Sequence, residues 1–328
     1  MGAGNLLKLS AQNAASDRRI IDVHQHYVSP EYIALLGRKG MGGGPQWKDY
    51  TPAKHIEDMD KAGIATSMIS PTAPAVWLGD IVESRKAARE INQYGAKMTA
   101  DYKGRFGLFT ALPVPDVDGS LHELEYGFDT LNAEGVAMLT SYENKWLGDK
   151  AFAPIFDELN RRKAVVYTHP LAIACCTNLI PSVQPQIAEY PADTTRAIIS
   201  LIVSGTVTRC PDIKFIFSHA GGTLVSIAGR FLGAAGNGDA ITKPAEPNSR
   251  LDQLRKFYYD TAQSTNPVLM QSLKMLVPAS QIVYGSDFPF ANPAAQVAGL
   301  ETSGLTSAEL RGIYRENAAK ILPAHRGA

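Results

Sequence analysis

The sequence predicts an α/β fold: a closed (β/α)8 barrel with eight parallel strands inside and helices outside. Two observations predict it. Eight short apolar runs alternate with amphipathic segments along the 328 residues, and polar side chains recur at the C-terminal ends of several runs. Runs that are apolar on both faces are typical of buried parallel strands. Barrels of this type commonly span about 250 residues or more, so the chain length fits one such domain.

The predicted strands are short and rich in Val, Ile and Phe. In chain order they are Ile20–His26, Ile64–Ser70, Phe106–Pro113, Val136–Ser141, Ala164–Thr168, Lys214–Ser218, Phe257–Thr261 and Gln281–Ser286. Between them, amphipathic periodicity predicts helices, the clearest being Ile81–Tyr102, Gly119–Asn132, Ala151–Arg162, Pro191–Arg209 and Ser307–Ala319. Thr306 and Glu309 form a capping-box pattern before the last of these. Barrels of this kind carry their active sites at the C-terminal strand ends.

The chain is expected to form one domain. Residues 1–19 are expected to be a disordered leader, residues 20–322 the barrel, and residues 323–328 a short tail. Two long connections follow the first and fifth strands: Tyr27–Thr51, with its glycine-rich Gly42–Gly44 stretch, and Leu171–Tyr190. Long loops after barrel strands commonly line the pocket, so both are expected to do so. A third connection, Gly236–Asn248, is expected to lie away from it.

Composition indicates a protein that acts on small molecules. Hydrophobic residues make up 45% of the chain, and 32 basic side chains balance 32 acidic ones. No basic stripe points to nucleic acid, and no apolar run reaches the roughly 18 residues that a membrane span needs. The three cysteines, Cys175, Cys176 and Cys210, are an odd number without framework spacing. We therefore expect reduced cysteines and a cytoplasmic protein.

Five polar residues stand where an apolar strand ends, at the edge that holds the active site of a barrel. They are His24 and His26 on the first strand, His169 on the fifth, His219 on the sixth and Asp287 on the eighth. Imidazole and carboxylate groups are costly to bury without partners, and one metal ion in the barrel mouth would partner them. Three imidazole nitrogens from His24, His26 and His169, with a carboxylate oxygen from Asp287, suit Zn²⁺ and are acceptable to Mn²⁺ or Fe²⁺.

The spacing of the first two histidines supports this interpretation. Side chains alternate along a strand, so His24 and His26 point the same way while Val23 and Gln25 point oppositely. If one imidazole faces the barrel axis, so does the other. Asp22 shares the face of His24 but sits deeper, and we expect it to be a hydrogen-bond partner inside the barrel and not a ligand.

The rest of the sequence favours a single metal ion. His55, His122 and His325 fall on helices or in the tail and are expected to be solvated. A site with two metals needs a bridging ligand, such as a carboxylated lysine on the fourth strand. Val136–Ser141 offers neither Lys nor Glu, and Lys145 lies several residues beyond that strand.

Three segments resemble the amidohydrolase superfamily. They are IDVHQHYVSP (Ile21–Pro30), SHAGGT (Ser218–Thr223) and YGSDFP (Tyr284–Pro289). The resemblance runs from about Ile20 to Asn317. Within the superfamily the chain is similar to the decarboxylase branch that includes aminocarboxymuconate-semialdehyde decarboxylase. Leu139–Gly148, together with Asp260–Ala262, resembles 6-methylsalicylate-type decarboxylases.

The resemblance implies roles for individual residues. It makes the metal ligands His24, His26, His169 and Asp287, and it makes His219 a general acid or base that ligates weakly or not at all. Arg230 matches an arginine that in relatives reaches a neighbouring subunit's site and holds the substrate carboxylate, which implies a homodimer. A surface ion pair on its own helix is the alternative for Arg230. Several salicylate-type decarboxylases carry Glu where this chain has His24, so the histidine favours Zn²⁺ over Mn²⁺.

The expected function is metal-dependent decarboxylation of a small carboxylic acid, either an ortho-hydroxybenzoate such as a 6-methylsalicylate-like compound or an enol or enamine-type acid. Asp287 is the expected proton donor, with His219 beside it. Residues in strand-end loops are expected to contact the substrate: Tyr27, Trp47, Thr72 and Phe290, in addition to Arg230. The alternatives are a mononuclear metal hydrolase of a lactone or amide, a hydratase, and an inactive binding protein.

Overall fold

A computed structural model describes residues 18–41, 44–177, 179–233 and 239–327 of the chain. Eight parallel strands stand side by side in the order in which they occur in the sequence. They are Ile20–His26, Ile64–Ser70, Phe106–Ala111, Gly135–Leu139, Val165–His169, Lys214–Phe217, Tyr258–Asp260 and Ile282–Val283. A separate antiparallel hairpin, Ser141–Tyr142 with Lys145–Trp146, follows the fourth strand. The arrangement confirms the predicted (β/α)8 barrel.

Helices follow the strands and pack against the outside of the barrel. The α-helices are Pro30–Arg38, Pro52–Ala62, Ile81–Asp101, Val117–Asp129, Ala153–Arg161, Pro185–Val203, Thr206–Arg209, Leu224–Phe231, Asp239–Thr242, Arg250–Leu254, Pro267–Leu276, Pro293–Glu301, Ser307–Arg311 and Asn317–Ile321. A π-helical segment, Gly312–Glu316, joins the last two. The predicted capping box of Thr306 and Glu309 is confirmed, with both of its hydrogen bonds formed. The helix predicted to begin at Pro191 begins at Pro185 instead.

Hydrogen bonds between the first strand and the segment that follows the eighth strand close the barrel. The backbone N–H groups of Val23 and His26 donate to the carbonyls of Tyr284 (3.0 Å) and Phe288 (2.8 Å). The regular part of the eighth strand is shorter than predicted, because the chain soon turns through Asp287, whose φ is +64°. This turn places the Asp287 side chain in the mouth of the barrel.

The first strand contains a β-bulge that changes which of its residues point inward. Asp22 pairs with Ser67 and Gln25 with Ile69, so three steps along the first strand oppose two along the second. Val23 therefore packs inside the barrel, together with Tyr167. His24 faces the same side, because its ring centre lies 5.2 Å from that of Tyr167. The predicted opposition of Val23 and His24 is wrong, because the bulge interrupts the alternation on which that prediction depended.

Two layers of buried side chains hold the barrel together. The inner layer fills the barrel below the strand ends and includes Val23, Phe109, Tyr167 and Ile216. The outer layer packs the strands against the helices and is the larger of the two. Because the inner layer blocks the barrel, the polar side chains at the C-terminal strand ends form the floor of an open mouth.

Two histidines that were expected to be solvated are buried, so those predictions are wrong. His55 is 0% exposed; its Nε2 donates to Gln25 Oε1 and its Nδ1 accepts from the Tyr50 hydroxyl. Burial lowers the pKa of His55 to about 3. His325 is also buried, and its Nε2 donates to Glu134 Oε1 at 2.6 Å. Both imidazoles tolerate burial because a polar partner satisfies them.

The cysteines differ in part from expectation. Cys175 and Cys176 form a disulfide between neighbouring residues, in a turn after the fifth strand, so the expectation of reduced cysteines is wrong for this pair. An odd cysteine count carries no information about two adjacent residues whose Cα atoms are 3.8 Å apart. Cys210 is buried and free.

Several predicted segments fall partly outside the described residues. These are most of the leader (residues 1–17), Gly42 and Gly43 of the glycine-rich stretch, residue 178 of the Leu171–Tyr190 connection, residues 234–238, part of which belongs to the Gly236–Asn248 connection, and residue 328 of the tail. Over the part of the chain that is described, none of the helices combines the length and the apolar character that a membrane crossing requires.

Candidate active site

Four of the predicted strand-end residues form a cluster in the mouth of the barrel. The ligand atoms of His24, His26, His169 and Asp287 all lie within 4.8 Å of one another, and all four residues are buried. His24 and His26 end the first strand, and His169 ends the fifth. The backbone N–H of Asp287 donates to the His24 carbonyl at 2.8 Å, which fixes the turn after the eighth strand. Distant strands thus direct their terminal side chains to one point.

Each histidine of the cluster is oriented by a hydrogen bond from its Nδ1. The acceptors are Asp260 Oδ2 for His24 (2.8 Å), the Ser70 carbonyl for His26 (3.2 Å) and the Pro170 carbonyl for His169 (2.8 Å). Carboxylate and carbonyl oxygens only accept, so in each ring Nδ1 carries the proton and Nε2 presents a lone pair. Partners of this kind orient the ring of a metal-bound histidine and raise its basicity.

Lone pairs crowd together at the centre of the cluster. His24 Nε2 lies 3.1 Å from His26 Nε2, and each of these nitrogens lies 3.2 Å from Asp287 Oδ1. When all the rings are neutral these three atoms have no hydrogen between them and repel one another, and a cation at this point, either a proton on His24 or a metal ion, removes the repulsion. Three imidazole nitrogens and one carboxylate oxygen therefore fit one divalent metal ion.

The electrostatics of the cluster also favour positive charge at its centre. Burial opposes the charged form of His24, but Asp260 and Asp287 raise its pKa to about 10. Burial lowers the pKa values of His26 and His169, which keeps both rings in the neutral form that binds metals. Burial disfavours the charge of Asp287, yet the neighbouring imidazoles hold its pKa well below the usual range.

Asp260, at the end of the seventh strand, organises two sides of the site and was not among the predicted site residues. It is 0% exposed. Its Oδ2 accepts from His24 Nδ1, and its Oδ1 accepts from the backbone N–H groups of His219 (2.8 Å) and Ala262 (3.0 Å). The signal was present in the sequence, because Asp260 ends an apolar strand as the other site residues do.

An Asp260→Asn variant is expected to bind Zn²⁺ about 10- to 100-fold more weakly, the usual effect of losing such a partner of a metal-bound histidine. The asparagine keeps the shape of the side chain but has one acceptor oxygen where Asp260 uses two. The measurement is the Zn²⁺ dissociation constant of metal-free protein, in competition with a chromophoric chelator.

Asp193→Asn is the matched control for this variant. Asp193 is equally buried and accepts from the side chains of Thr140, Ser141 and Trp146, none of which belongs to the cluster. We expect it to lower thermal stability without changing the Zn²⁺ dissociation constant. Equal Zn²⁺ affinity in Asp260→Asn and the wild type would contradict the role given to Asp260.

His219 lies beside the cluster and is not one of its ligand atoms. Its Nε2 lies 3.3 Å from Asp287 Oδ2, and its Nδ1 is buried without a hydrogen-bond partner among the described residues. Its backbone φ is +54°, in the left-handed region that costs a non-glycine residue energy. The surroundings of His219 thus suit a group that exchanges protons or hydrogen bonds with a bound molecule.

The cluster opens into a cavity of about 400 Å³. Three of the predicted substrate contacts, Trp47, Thr72 and Phe290, lie on its wall. Both long connections contribute to the lining, as predicted for them. Their side chains in the wall include Val28, Tyr32, Leu36, Gln186, Ile187 and Tyr190. The walls above the floor are therefore largely apolar and aromatic.

Two predicted substrate contacts do not line the cavity of their own chain. Tyr27 is 0% exposed; its hydroxyl donates to the Ile91 carbonyl at 2.9 Å and its ring stacks on Tyr94. The prediction for Tyr27 is wrong, because the residue after the inward-pointing His26 turns to the outer helix layer. Arg230 is exposed on the outside of the barrel, and its contact with a neighbouring subunit stays a prediction.

Gln263 and Tyr190 were also missed as individual site residues. The Gln263 amide donates to Asp287 Oδ2, and the Tyr190 ring centre lies 6.1 Å from that of His169. Gln263 does not end an apolar run, so the pattern that finds the ligands cannot find it. Tyr190 is the last residue of a connection predicted to line the pocket, and only its place in that connection pointed to it.

The chain is similar to known proteins over most of its length. The amidohydrolase family profile matches residues 21–324. Decarboxylase yanB of Aspergillus niger is 37% identical over 324 residues, which cover 92% of this chain and 87% of that protein. The 6-methylsalicylic acid decarboxylase of Penicillium expansum is 34% identical over 287 residues, covering 83% and 85%. The solved 2,6-dihydroxybenzoate decarboxylase from Rhizobium shares the fold, with a TM-score of 0.80 at 21% identity over 93% of this chain and 98% of that one.

Proposed function

The chain belongs to the amidohydrolase family, and on this premise we propose that it is a metal-dependent, non-oxidative decarboxylase of an ortho-hydroxybenzoate, with 6-methylsalicylate-like acids as the leading candidates. The observation that carries the proposal is the cavity, which has a single three-histidine, one-carboxylate cluster at its floor and uncharged walls above it. The similarity to decarboxylase yanB and to a 6-methylsalicylic acid decarboxylase over most of the chain supports the same reaction class.

The cavity suits a flat molecule with one acidic end. Apart from Asp287 at the floor, the described residues that line it include no Lys, Arg, Asp or Glu. The Phe290 ring centre lies 5.7 Å from that of His26 and 5.7 Å from that of Trp47, so aromatic walls begin directly beside the cluster. Such walls pack well against an aromatic ring, whereas a second carboxylate would be buried without a partner. This favours a monocarboxylic over a dicarboxylic substrate.

The chain's own residues would bind and protonate this substrate in the following way. A divalent ion held by His24, His26, His169 and Asp287 would supply Lewis acidity toward the acidic end of the substrate, its carboxylate and ortho-hydroxyl oxygens. His219 hydrogen-bonds one of those oxygens. Asp287 begins as the carboxylate; its Oδ2 takes the proton that the ortho-hydroxyl gives up and passes it to the ring carbon that bears the carboxylate, and the phenolate product takes a proton from water when it leaves. The ring carbon gains that proton, the bond to the carboxylate breaks, its electron pair restores the aromatic ring, and carbon dioxide leaves. The apolar wall formed by Trp47 and Phe290 keeps water from the ring during these steps.

A second copy of the chain is part of the proposal. The substrate carboxylate meets no Lys or Arg side chain among the described lining residues, and Arg230 is exposed. Arg230 from a neighbouring subunit would supply the missing positive charge, so the proposed enzyme is a homodimer or a larger homo-oligomer.

Zn²⁺ is the proposed ion, because three imidazole nitrogens with one carboxylate oxygen form a set that Zn²⁺ commonly takes. Mn²⁺ is the alternative, since a solved dihydroxybenzoic acid decarboxylase from Polaromonas, which shares the fold, holds bound manganese. A cytoplasmic location also belongs to the proposal. Its support is that the three cysteines form no framework of long-range disulfides, since the one disulfide joins the adjacent Cys175 and Cys176.

The test of the proposed function is carbon dioxide release by metal-analysed protein from a panel of acids. The panel holds 6-methylsalicylate and salicylate, the 3-hydroxybenzoate isomer as the control without an ortho-hydroxyl, aminocarboxymuconate semialdehyde as a dicarboxylic acid, and a lactone. We expect carbon dioxide and the matching phenol in equal amounts from the ortho-hydroxybenzoates alone. Hydrolysis of the lactone without carbon dioxide release from any acid would instead identify a metal hydrolase.

A further inference from the structure

Three neighbouring strand ends carry non-glycine residues in the left-handed backbone region. They are His219, Gln263 and Asp287, with φ values of +54°, +51° and +64° after the sixth, seventh and eighth strands. Their side chains meet at one atom: His219 Nε2 lies 3.3 Å from Asp287 Oδ2, and the Gln263 amide N–H donates to the same oxygen. Backbone strain persists where the surrounding structure holds it, and it is concentrated at functional sites. The shared target therefore points to a function at Asp287 Oδ2.

The backbone of Gln263 is held firmly in this conformation. Its N–H donates to the side-chain oxygen of Gln296 at 3.0 Å, and the Thr265 hydroxyl donates to the same oxygen at 3.3 Å. Gln263 also lines the cavity. Its amide thus approaches Asp287 from the cavity side, and the backbone that carries it is held in place by these hydrogen bonds.

The two oxygens of Asp287 have different surroundings. Oδ1 lies 3.2 Å from the Nε2 atoms of His24 and His26, on the side of the metal-binding cluster. Oδ2 lies on the side of His219 and Gln263. A carboxylate that is free to rotate can present both of its oxygens to a cation, and the hydrogen bond from Gln263 opposes that rotation.

We propose that Gln263 is a positioning residue. Its amide N–H keeps Oδ2 of Asp287 on the cavity side, so that Oδ1 alone faces the cluster and Oδ2 stays available to the substrate. The second half of this statement rests on the proposed decarboxylation, and the first half does not. The two halves are separated by a readout on the metal site that needs no turnover.

Two variants test the proposal. Gln263→Gly removes the amide and also removes the strain of a positive φ, so the melting temperature should stay within a few degrees of the wild type while kcat falls about 10- to 100-fold with KM little changed. Gln263→Glu keeps the length of the side chain but replaces the N–H donor by an acceptor, and a similar fall in kcat is expected. A residue with a merely structural role would lose stability in Gln263→Gly together with activity.

Gln271→Ala is the control, because the Gln271 amide is likewise a hydrogen-bond donor but bonds to the Ser303 and Gly304 carbonyls, outside the cavity. The turnover-independent readout is the visible absorption spectrum of the Co²⁺-loaded proteins, which reports the ligand arrangement. We expect the spectrum of Gln263→Gly to differ from the wild type and that of Gln271→Ala to match it.

The outcomes separate the positioning role of Gln263 from the proposed reaction. If the wild type releases carbon dioxide and both Gln263 variants keep its kcat and its Co²⁺ spectrum, the positioning role is overturned. A changed Co²⁺ spectrum in a protein whose wild type releases no carbon dioxide would uphold the positioning role and overturn the proposed reaction.

Discussion

An Asp287→Asn variant is expected to release carbon dioxide about a thousand times more slowly than the wild type, with kcat carrying the loss. The amide oxygen of the asparagine can still lie beside the Nε2 atoms of His24 and His26, where Oδ1 lies at 3.2 Å in the wild type. The amide group, however, cannot carry a carboxylic proton to the substrate ring. The substitution also removes one negative charge from the cluster. The measurement is kcat at saturating substrate, on protein whose metal content has been determined.

The control for this prediction is Asp101→Asn, at an exposed carboxylate paired with Lys97 on the helix Ile81–Asp101. Its kcat should equal that of the wild type, since a surface ion pair of this kind contributes little. If Asp287→Asn bound its metal ion and kept full activity, Asp287 would not be the proton donor. If it lost the ion, added Zn²⁺ should restore occupancy but not the rate.

The strand-end residues were predictable because parallel strands in a barrel end on the same side. His26 and Asp287 lie 261 positions apart in the sequence, yet any eight-stranded barrel built from these runs brings both to the mouth. The apolar character of each run fixes which segments are strands, and the polar residue at its end stands out for that reason. No knowledge of side-chain contacts was needed for this step.

Side-chain direction was less predictable, because it depends on contacts between strands. The first strand reads as a regular alternation, and only its register against the second strand reveals the bulge between Asp22 and Gln25. The bulge turns Val23 inward, into the inner layer of buried side chains, which includes Tyr167. Likewise, Tyr27 was expected to contact the substrate. Its side chain packs instead in the outer layer, where its hydroxyl donates to the Ile91 carbonyl.

Burial of polar residues on helices was not predictable from sequence, because it depends on partners supplied by distant segments. His55 is buried through its bonds to Gln25 and Tyr50 and through stacking on Phe288, at 4.3 Å between ring centres. Gln263 reaches Asp287 from a backbone held at positive φ. Neither arrangement has a local pattern that would distinguish it from a solvated side chain.

Removing the divalent ion is expected to abolish turnover and to lower the melting temperature by roughly 10 °C. An ion that is present at a thousandfold excess over its dissociation constant stabilises the folded state by about 4 kcal/mol, and for a domain of this size each kcal/mol corresponds to a few degrees. Without the ion, the repulsion between His24 Nε2, His26 Nε2 and Asp287 Oδ1, which lie 3.1–3.2 Å apart, is relieved only by a proton on His24. The measurements are turnover and thermal unfolding before and after chelation.

The matched variants for this prediction are His26→Asn and His122→Asn. His26 belongs to the cluster, whereas His122 is exposed on the outside of the barrel. His26→Asn should hold little metal and resemble the chelated wild type in both turnover and melting temperature, and His122→Asn should match the untreated protein. Re-addition of Zn²⁺ or Mn²⁺ to the chelated wild type should restore both properties, and the ion that restores the higher kcat decides between them. Turnover that survived complete chelation would exclude the metal from the reaction, and with it the role that the four clustered side chains have been given.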